Sequence, residues 1–293
     1  MIPYNKQTLD ENNIDSLVKV FEDKIIIGTA QFGLKYGINN LKKIETEQIT
    51  KIMEFCLKNN IRVFDTAEDY GDSEFILSSY QDNINIITKS KNLSAIQAHS
   101  QKYFKHIDCY MIHDFKLYNK DLISNYKKIL TNVKSIGISI YEKDELIQLL
   151  KDDVVEIIQI PFNLLRGNTY WFTEDCIQLL RKSRCKIYAR SIFLQGLLLS
   201  DLNTPSNLDY KNISEIHNHL NKICKEYNIT KLQLCIGYVN NCKYIDKFLV
   251  GIDNLKQLEE ITYSNLNLNK DIIDKLESIK IYDDNIIDPR KWN

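Results

Sequence analysis

Residues 61–67 read IRVFDTA, a short apolar run that breaks off at an aspartate, Asp65. Seven further runs of the same make recur along the chain: KIIIGTA at 24–30, INIITKS at 84–90, IDCYMIHD at 107–114, VKSIGISI at 133–140, VVEIIQIPFN at 154–163, CKIYARS at 185–191 and IDKFLVGI at 245–252. Each is nearly continuous in Ile and Val, as expected of a strand covered on both faces in a parallel sheet rather than wetted on one. Between the runs lie stretches such as ETEQITKIMEFCLKNN and YKNISEIHNHLNKICKEY, whose apolar residues recur at spacings of three and four, the period of an amphipathic helix. Eight evenly spaced strand–helix units with no second zone of composition predict an α/β fold, a closed (β/α)8 TIM barrel in a single domain over residues 24–293. An open doubly wound sheet is the alternative, and even spacing favours closure. Residues 1–23 read as an N-terminal extension carrying a helix, placed as a cap over the bottom of the barrel. The longest irregular stretch, 191–212, is expected to be a loop over a site.

Composition narrows the classes. A hydrophobic content of 44% beside 26% charged residues fits a globular protein able to bury a sizeable core. The formal net charge of −1, with no basic block, argues against a nucleic-acid or anionic-membrane partner. No apolar run reaches the length of a membrane span, and the polar start MIPYNKQTLDENN lacks the pattern of a signal peptide, so a cytoplasmic location is expected. Seven cysteines without a CxxC pair fit reduced thiols, and no His stands at ligand spacing from them, so no metal site is expected. HNH at 217–219 lies in a helical stretch and reads as its solvated face.

In a barrel of this kind the active site lies at the C-terminal ends of the strands. Asp65 ends the second run, Lys89 the third and His113 the fourth, each 24 residues from the next, so one βα unit separates them. Tyr70 follows Asp65 in the loop above it. A phenol is a weak acid at neutral pH. A neighbouring ammonium favours the phenolate and makes the phenol a better donor, and a buried ammonium needs an anionic partner, for which Asp65 is placed. A histidine can orient a substrate oxygen by hydrogen bonding. The set suits protonating an oxygen that gains negative charge, as in carbonyl reduction, with a cofactor supplying hydride.

The sequence resembles the aldo-keto reductases from about residue 24 to about 266, through IGTAQFGLKYG, FDTAEDYGDSE, ITKS, YMIHDF, IGIS, IIQIPFN, ARSIFLQGLLL and VGIDNLKQLEE. The resemblance implies a catalytic tetrad of Asp65, Tyr70, Lys89 and His113, with Tyr70 as general acid, Lys89 and Asp65 as its tuning pair and His113 as the orienting group. It implies NADPH or NADH as cofactor and a small-molecule carbonyl as substrate. Ser139 and Gln159 match the residues that hold the nicotinamide carboxamide, while Ile140 stands where Asn is usual. Arg190 takes the place of the aromatic residue that stacks on the nicotinamide. It could lie on the ring, contact an anionic substrate group or the cofactor diphosphate, or form a rim salt bridge. Ser191, Leu194 and Gly196 align with the loop that holds the diphosphate. Gly28, Thr29 and Ala30 align with the contacts to the nicotinamide end. Gly251, Asp253, Asn254, Gln257 and Glu260 occupy the segment where many relatives grip the 2′-phosphate of NADPH with basic residues. An aspartate there repels a phosphate and accepts hydrogen bonds from a bare ribose, which puts a strict NADPH preference in doubt.

Residues 1–23 resemble, more briefly, the opening of PLP-dependent nucleotide-sugar aminotransferases, which makes a sugar-derived carbonyl and carbohydrate biosynthesis a plausible setting. Tyr170 and Trp171 either wall the substrate pocket or pack a helix on the barrel. Two other functions stay open at this point: a barrel that binds cofactor or partner without catalysis, and a metal-dependent sugar isomerase, for which the strand ends carry too few carboxylates and histidines.

Overall fold

The computed structural model describes residues 23–38, 42–92, 94, 96–200, 208–264, 267–279 and 285–292. Eight strands form in the eight apolar runs: β1 (Ile25–Gly28), β2 (Val63–Asp65), β3 (Asn85–Ser90), β4 (Cys109–Ile112), β5 (Ile136–Ser139), β6 (Ile157–Pro161), β7 (Lys186–Arg190) and β8 (Lys247–Gly251). All neighbours pair in parallel, in chain order, and β8 closes onto β1 with Gly251 opposite Gly28. The expected (β/α)8 barrel is therefore the fold. The N-terminal helix expected within residues 1–23 lies outside the described residues, apart from Asp23 at its end.

Alternation along the strands divides the core in two. Ile26, Ile87, Cys109, Met111, Ile157, Tyr188 and Leu249 face inward and fill the barrel. Their strand neighbours, among them Ile25, Ile27, Ile86, Tyr110 and Ile158, face outward and pack under the helices. Each fully buried Ile or Leu contributes about 1.5–3 kcal/mol. Gly137 belongs to the inner set by necessity, since a Cβ there would approach the Cys109 Sγ to 2.9 Å and the Ile157 carbonyl to 2.8 Å.

Side chains of a strand return to the same face every second residue. One step beyond the inner plug, that period delivers Asp65 after Val63, Lys89 after Ile87, His113 after Met111, Ser139 after Gly137, Gln159 after Ile157 and Arg190 after Tyr188. The mouth of the barrel is thus polar because its residues continue the inward face of apolar strands.

The helices follow the predicted period. Helix 46–58 buries Ile49, Ile52, Met53 and Cys56, and helix 210–227 buries Ile213, Ile216, His217, Leu220 and Ile223. The second set corrects the HNH expectation: His219 is exposed, but His217 stands at the helical spacing of its apolar neighbours and is buried, with the Lys231 Nζ 2.9 Å from its Nδ1. Of the stretch 191–212, residues 201–207 lie outside the described residues; the rest begins with a tight 3-10 turn at Leu194–Gly196 and ends in the start of helix 210–227. Among the described residues no helix is long and apolar enough to cross a membrane.

Candidate active site

The four residues of the expected tetrad meet at the mouth. Asp65 and Lys89 are both 1% exposed and form an ion pair through Oδ1 and Nζ. A buried pair offsets its desolvation only when its remaining hydrogen-bonding capacity is used. Here the second carboxylate oxygen accepts from Gln159 Nε2 at 2.8 Å, and the ammonium also donates to the Thr66 carbonyl at 2.8 Å. His113 lies one residue past the end of β4. Its ring meets the Tyr70 ring edge-on, with centroids 6.1 Å apart and planes at 81°, and the Lys89 Nζ stands 5.4 Å from the centre of the Tyr70 ring.

The loop that carries Tyr70 is held from two sides. Behind it, a chain of hydroxyls runs from Thr66 to Ser73 (3.0 Å), Ser73 to Thr29 (2.6 Å) and Thr29 to the Asp65 carbonyl (2.9 Å). In front, Gly33 lies so close that a Cβ on it would sit 1.7 Å from the Tyr70 carbonyl oxygen. Gly71 completes the corner with φ +58°, a conformation that favours glycine, and packs against the Gly33 carbonyl in turn.

Burial dominates the electrostatics. The Tyr70 phenol is raised well above its usual value, first by burial and then by the Asp65 carboxylate; Arg190 works the other way. This revises the expectation that Lys89 pulls the phenol down. With the ammonium paired to Asp65, burial and the Asp65 carboxylate outweigh it in the resting site and hold the phenol protonated. Burial likewise lowers Lys89, against the opposing attraction of Asp65. His113 is pushed down to about 3 by burial, with the Lys89 and Lys91 ammoniums adding to the effect. Its imidazole is therefore neutral at physiological pH. Its Nδ1 has no hydrogen-bond partner among the described residues and lies 3.8 Å from the Asp69 carboxylate. A protonated phenol and a neutral imidazole side by side offer a proton and a hydrogen bond to one substrate oxygen.

A cavity of about 820 Å³ opens from these four residues toward β7 and β8. Gly28, Thr29 and Ala30 form one wall, and Ser139 and Gln159 lie on its floor. Ser191 and Gly196 line it beyond β7, and Gly251, Asp253, Gln257 and Glu260 line it beyond β8. Two residues of the expected cofactor set do not reach it. Leu194 is fully buried and anchors the loop into the core, and Asn254 caps the helix 255–262 by accepting from the Gln257 amide at 2.9 Å. Ile140 is buried in the outer core and gives only its carbonyl to the site. Tyr170 and Trp171 are absent from the wall; Trp171 is fully buried and donates its Nε1 to the Pro161 carbonyl at 2.8 Å, the packing role.

Two features fit a nicotinamide dinucleotide. The buried Gln159 Oε1 has no hydrogen-bond partner among the described residues, an acceptor suited to the amide N–H of a carboxamide. The loop after β7 holds Ser191 at φ +57°, Leu194 at +48°, Gln195 at +53° and Gly196 at +95°. Each left-handed non-glycine residue costs roughly 1–2 kcal/mol, a strained backbone of the kind that cradles anions. The Leu194 and Gly196 N–H groups, however, donate within the turn to the Ser191 and Phe193 carbonyls. Arg190 is fixed across the floor: Nε donates to Ser139 Oγ at 3.2 Å, one Nη to the Ile140 carbonyl at 2.9 Å and the other to Ser191 Oγ at 3.4 Å. It pairs with no carboxylate among the described residues, which removes the rim salt bridge.

Sequence reasoning missed Tyr36 and Tyr141, which also line the cavity. Both were signalled by position, Tyr36 in the loop after β1 and Tyr141 two residues after Ser139. Tyr141 lies between two guanidiniums, Arg190 at 4.1 Å and Arg290 at 3.6 Å from its ring centre. Nothing in the sequence announces Arg290, which arrives from the far end of the chain.

The comparison with curated proteins finds no match. The resemblance of residues 1–23 to aminotransferases lies outside the range matched by any family and has no support. Residues 24–281 match the profile described as the Aldo/keto reductase family, on the barrel and around the cavity just described. The chain belongs to the aldo/keto reductase family of oxidoreductases.

Proposed function

We propose that the chain reduces the carbonyl of a small molecule, an aldehyde or ketone such as a sugar-derived one, to the alcohol with NADPH or NADH. The observation that carries this reading is the Tyr70 phenol meeting the His113 imidazole edge-on beside the buried Lys89–Asp65 pair, at the end of a cavity of about 820 Å³. The nicotinamide, when bound, supplies the hydride that the carbonyl carbon takes up.

Tyr70 gives its phenolic proton to the carbonyl oxygen as that oxygen becomes negative, and recovers one from solvent after the alcohol forms. His113 donates a hydrogen bond to the same oxygen and fixes its direction. The Lys89 ammonium, anchored by Asp65 and the Thr66 carbonyl, is positioned to stabilise the phenolate left behind. Ser139 and the free Gln159 Oε1 would hold the carboxamide, and the turn at 191–196 would cradle the diphosphate.

Proton transfer by a positioned acid typically contributes 10²–10⁴-fold. Tyr70→Phe is therefore expected to lower kcat by about that factor while the cofactor Kd changes little. Cofactor oxidation followed with a panel of sugar aldehydes, keto-sugars and simple carbonyls measures the first, and fluorescence titration measures the second. A fully active Tyr70→Phe enzyme would sink the assignment, and failure to bind either cofactor would favour a non-catalytic binding barrel.

A further inference from the structure

The floor of the cavity carries two cations, Lys89 and Arg190, against one carboxylate, Asp65. That carboxylate is spent: Lys89 takes one oxygen and Gln159 the other. The other acids near the site are placed elsewhere. Asp69 pairs with Lys91 at 2.7 Å, and Asp253 and Glu260 lie beyond β8 at the opposite end. Arg190 is left with its charge unmatched among the described residues, and it cannot readily swing away. Three hydrogen bonds, to Ser139, Ser191 and the Ile140 carbonyl, set its plane, and the Tyr141 ring backs one face while Arg290 backs the other side of that ring. Its field reaches across the mouth, since it acts on Tyr70, Lys89 and His113 alike.

We propose that Arg190 makes this site select the reduced, neutral nicotinamide over the oxidised, positively charged one. The proposal rests on the reductase reading above. A ring that hands hydride to a carbonyl beside Tyr70 must lie over the mouth, and Arg190 is bonded to Ser139, one of the two floor residues placed for the carboxamide. The two redox forms carry the same phosphates and ribose groups and differ by one unit of charge on the ring. Any attraction of Arg190 for the phosphates is common to both and cancels in their ratio. What remains is the repulsion between a fixed guanidinium and a pyridinium cation in a partly desolvated cavity, where charges interact far more strongly than in water. Product cofactor is thereby released in preference to being held and competes less with the reduced form for the site, while the equilibrium of the reaction is unchanged.

Titration of the wild-type protein with the reduced and oxidised forms of each cofactor, by fluorescence or calorimetry, tests this without turnover. The reduced form is expected to bind at least about tenfold more tightly than the oxidised, or 1.4 kcal/mol. Arg190→Gln should bring the ratio to within about twofold to threefold by tightening the oxidised form, and Arg190→Lys should keep most of it. Melting curves of both variants check that they fold, and the lysine variant keeps the test alive should the glutamine variant fail. Equal binding of the two forms by wild-type protein overturns the proposal. So does an Arg190→Gln protein that loses both forms in equal measure, which would assign the guanidinium to the diphosphate. Binding of neither form by wild-type protein would instead sink the reductase reading itself.

Discussion

His113 meets the Tyr70 ring edge-on, within the fields of Lys89 and Lys91 and against the opposing Asp69 carboxylate 3.8 Å away, and is 18% exposed at its side chain. Its folded value of about 3 lies below the ordinary histidine value of about 6.5. An unfolded chain takes up a proton on this side chain as pH falls through 6.5, and the folded one does not until about 3. The unfolded state thus binds more protons between those limits. The stability tied to a neutral His113 is complete above 6.5 and drains away as pH falls, by up to about 1.4 kcal/mol per unit. His113→Asn should flatten that slope, so chemical denaturation at pH 4.5 and 7 should show the wild-type protein losing more stability on acidification than the variant. Equal losses would mean that His113 is not held neutral. A second consequence concerns rate: protonation of His113 should leave no inflection between pH 6 and 7.5, a window in which an exposed histidine would impose one.

At the scale of elements, what the sequence discloses depends on whether a residue's partners are local. The strands were legible because burial on both faces writes itself as unbroken Ile and Val, and Asp65, Lys89 and His113 were legible because strand ends follow from strand positions. His217 was legible too, four residues after Ile213 and three before Leu220, a spacing that outweighs the polar look of HNH. The contacts that hold Tyr70 were not legible, because Gly33 and Tyr70 belong to loops after different strands and meet only through the pairing of β1 with β2. The same holds for Arg290 over Tyr141. Gly33→Ala tests the clamp. A methyl at 1.7 Å from the Tyr70 carbonyl must displace one loop or the other, and a displacement of about 1 Å at a reacting group costs on the order of 10²-fold in rate. We expect kcat to fall by about 10–100-fold, with a smaller change in the cofactor Kd through Thr29 and Ala30 at the other end of the same short helix. A variant with full kcat would show that Tyr70 is positioned by the hydroxyl chain alone.

Across the whole molecule, closure gathers residues from Gly28 to Glu260 around one cavity, so a ligand filling it touches the ends of strands throughout the chain and should stabilise the barrel as a unit. A ligand that binds only the folded state adds about 2.7 kcal/mol at a hundred times its Kd. The increment should depend on which dinucleotide is used, because the cavity beyond β8 is lined by Asp253 and Glu260. Asp253 lines it, held by Gln257, whose Oε1 accepts from the Asp253 amide at 2.7 Å. The nearby Lys256 side chain is 80% exposed, and its ammonium stands 3.9 Å from the Glu260 carboxylate. A 2′-phosphate seated there would meet a carboxylate, whereas a ribose 2′-hydroxyl would find an acceptor. NADH should therefore raise the denaturation midpoint more than NADPH at equal concentration, and Asp253→Asn should narrow the gap by improving NADPH. The charge origin of the effect predicts that added salt narrows it as well. A larger shift with NADPH would place the phosphate on another cation, and Lys231, which lines the same cavity, would then be the residue to change.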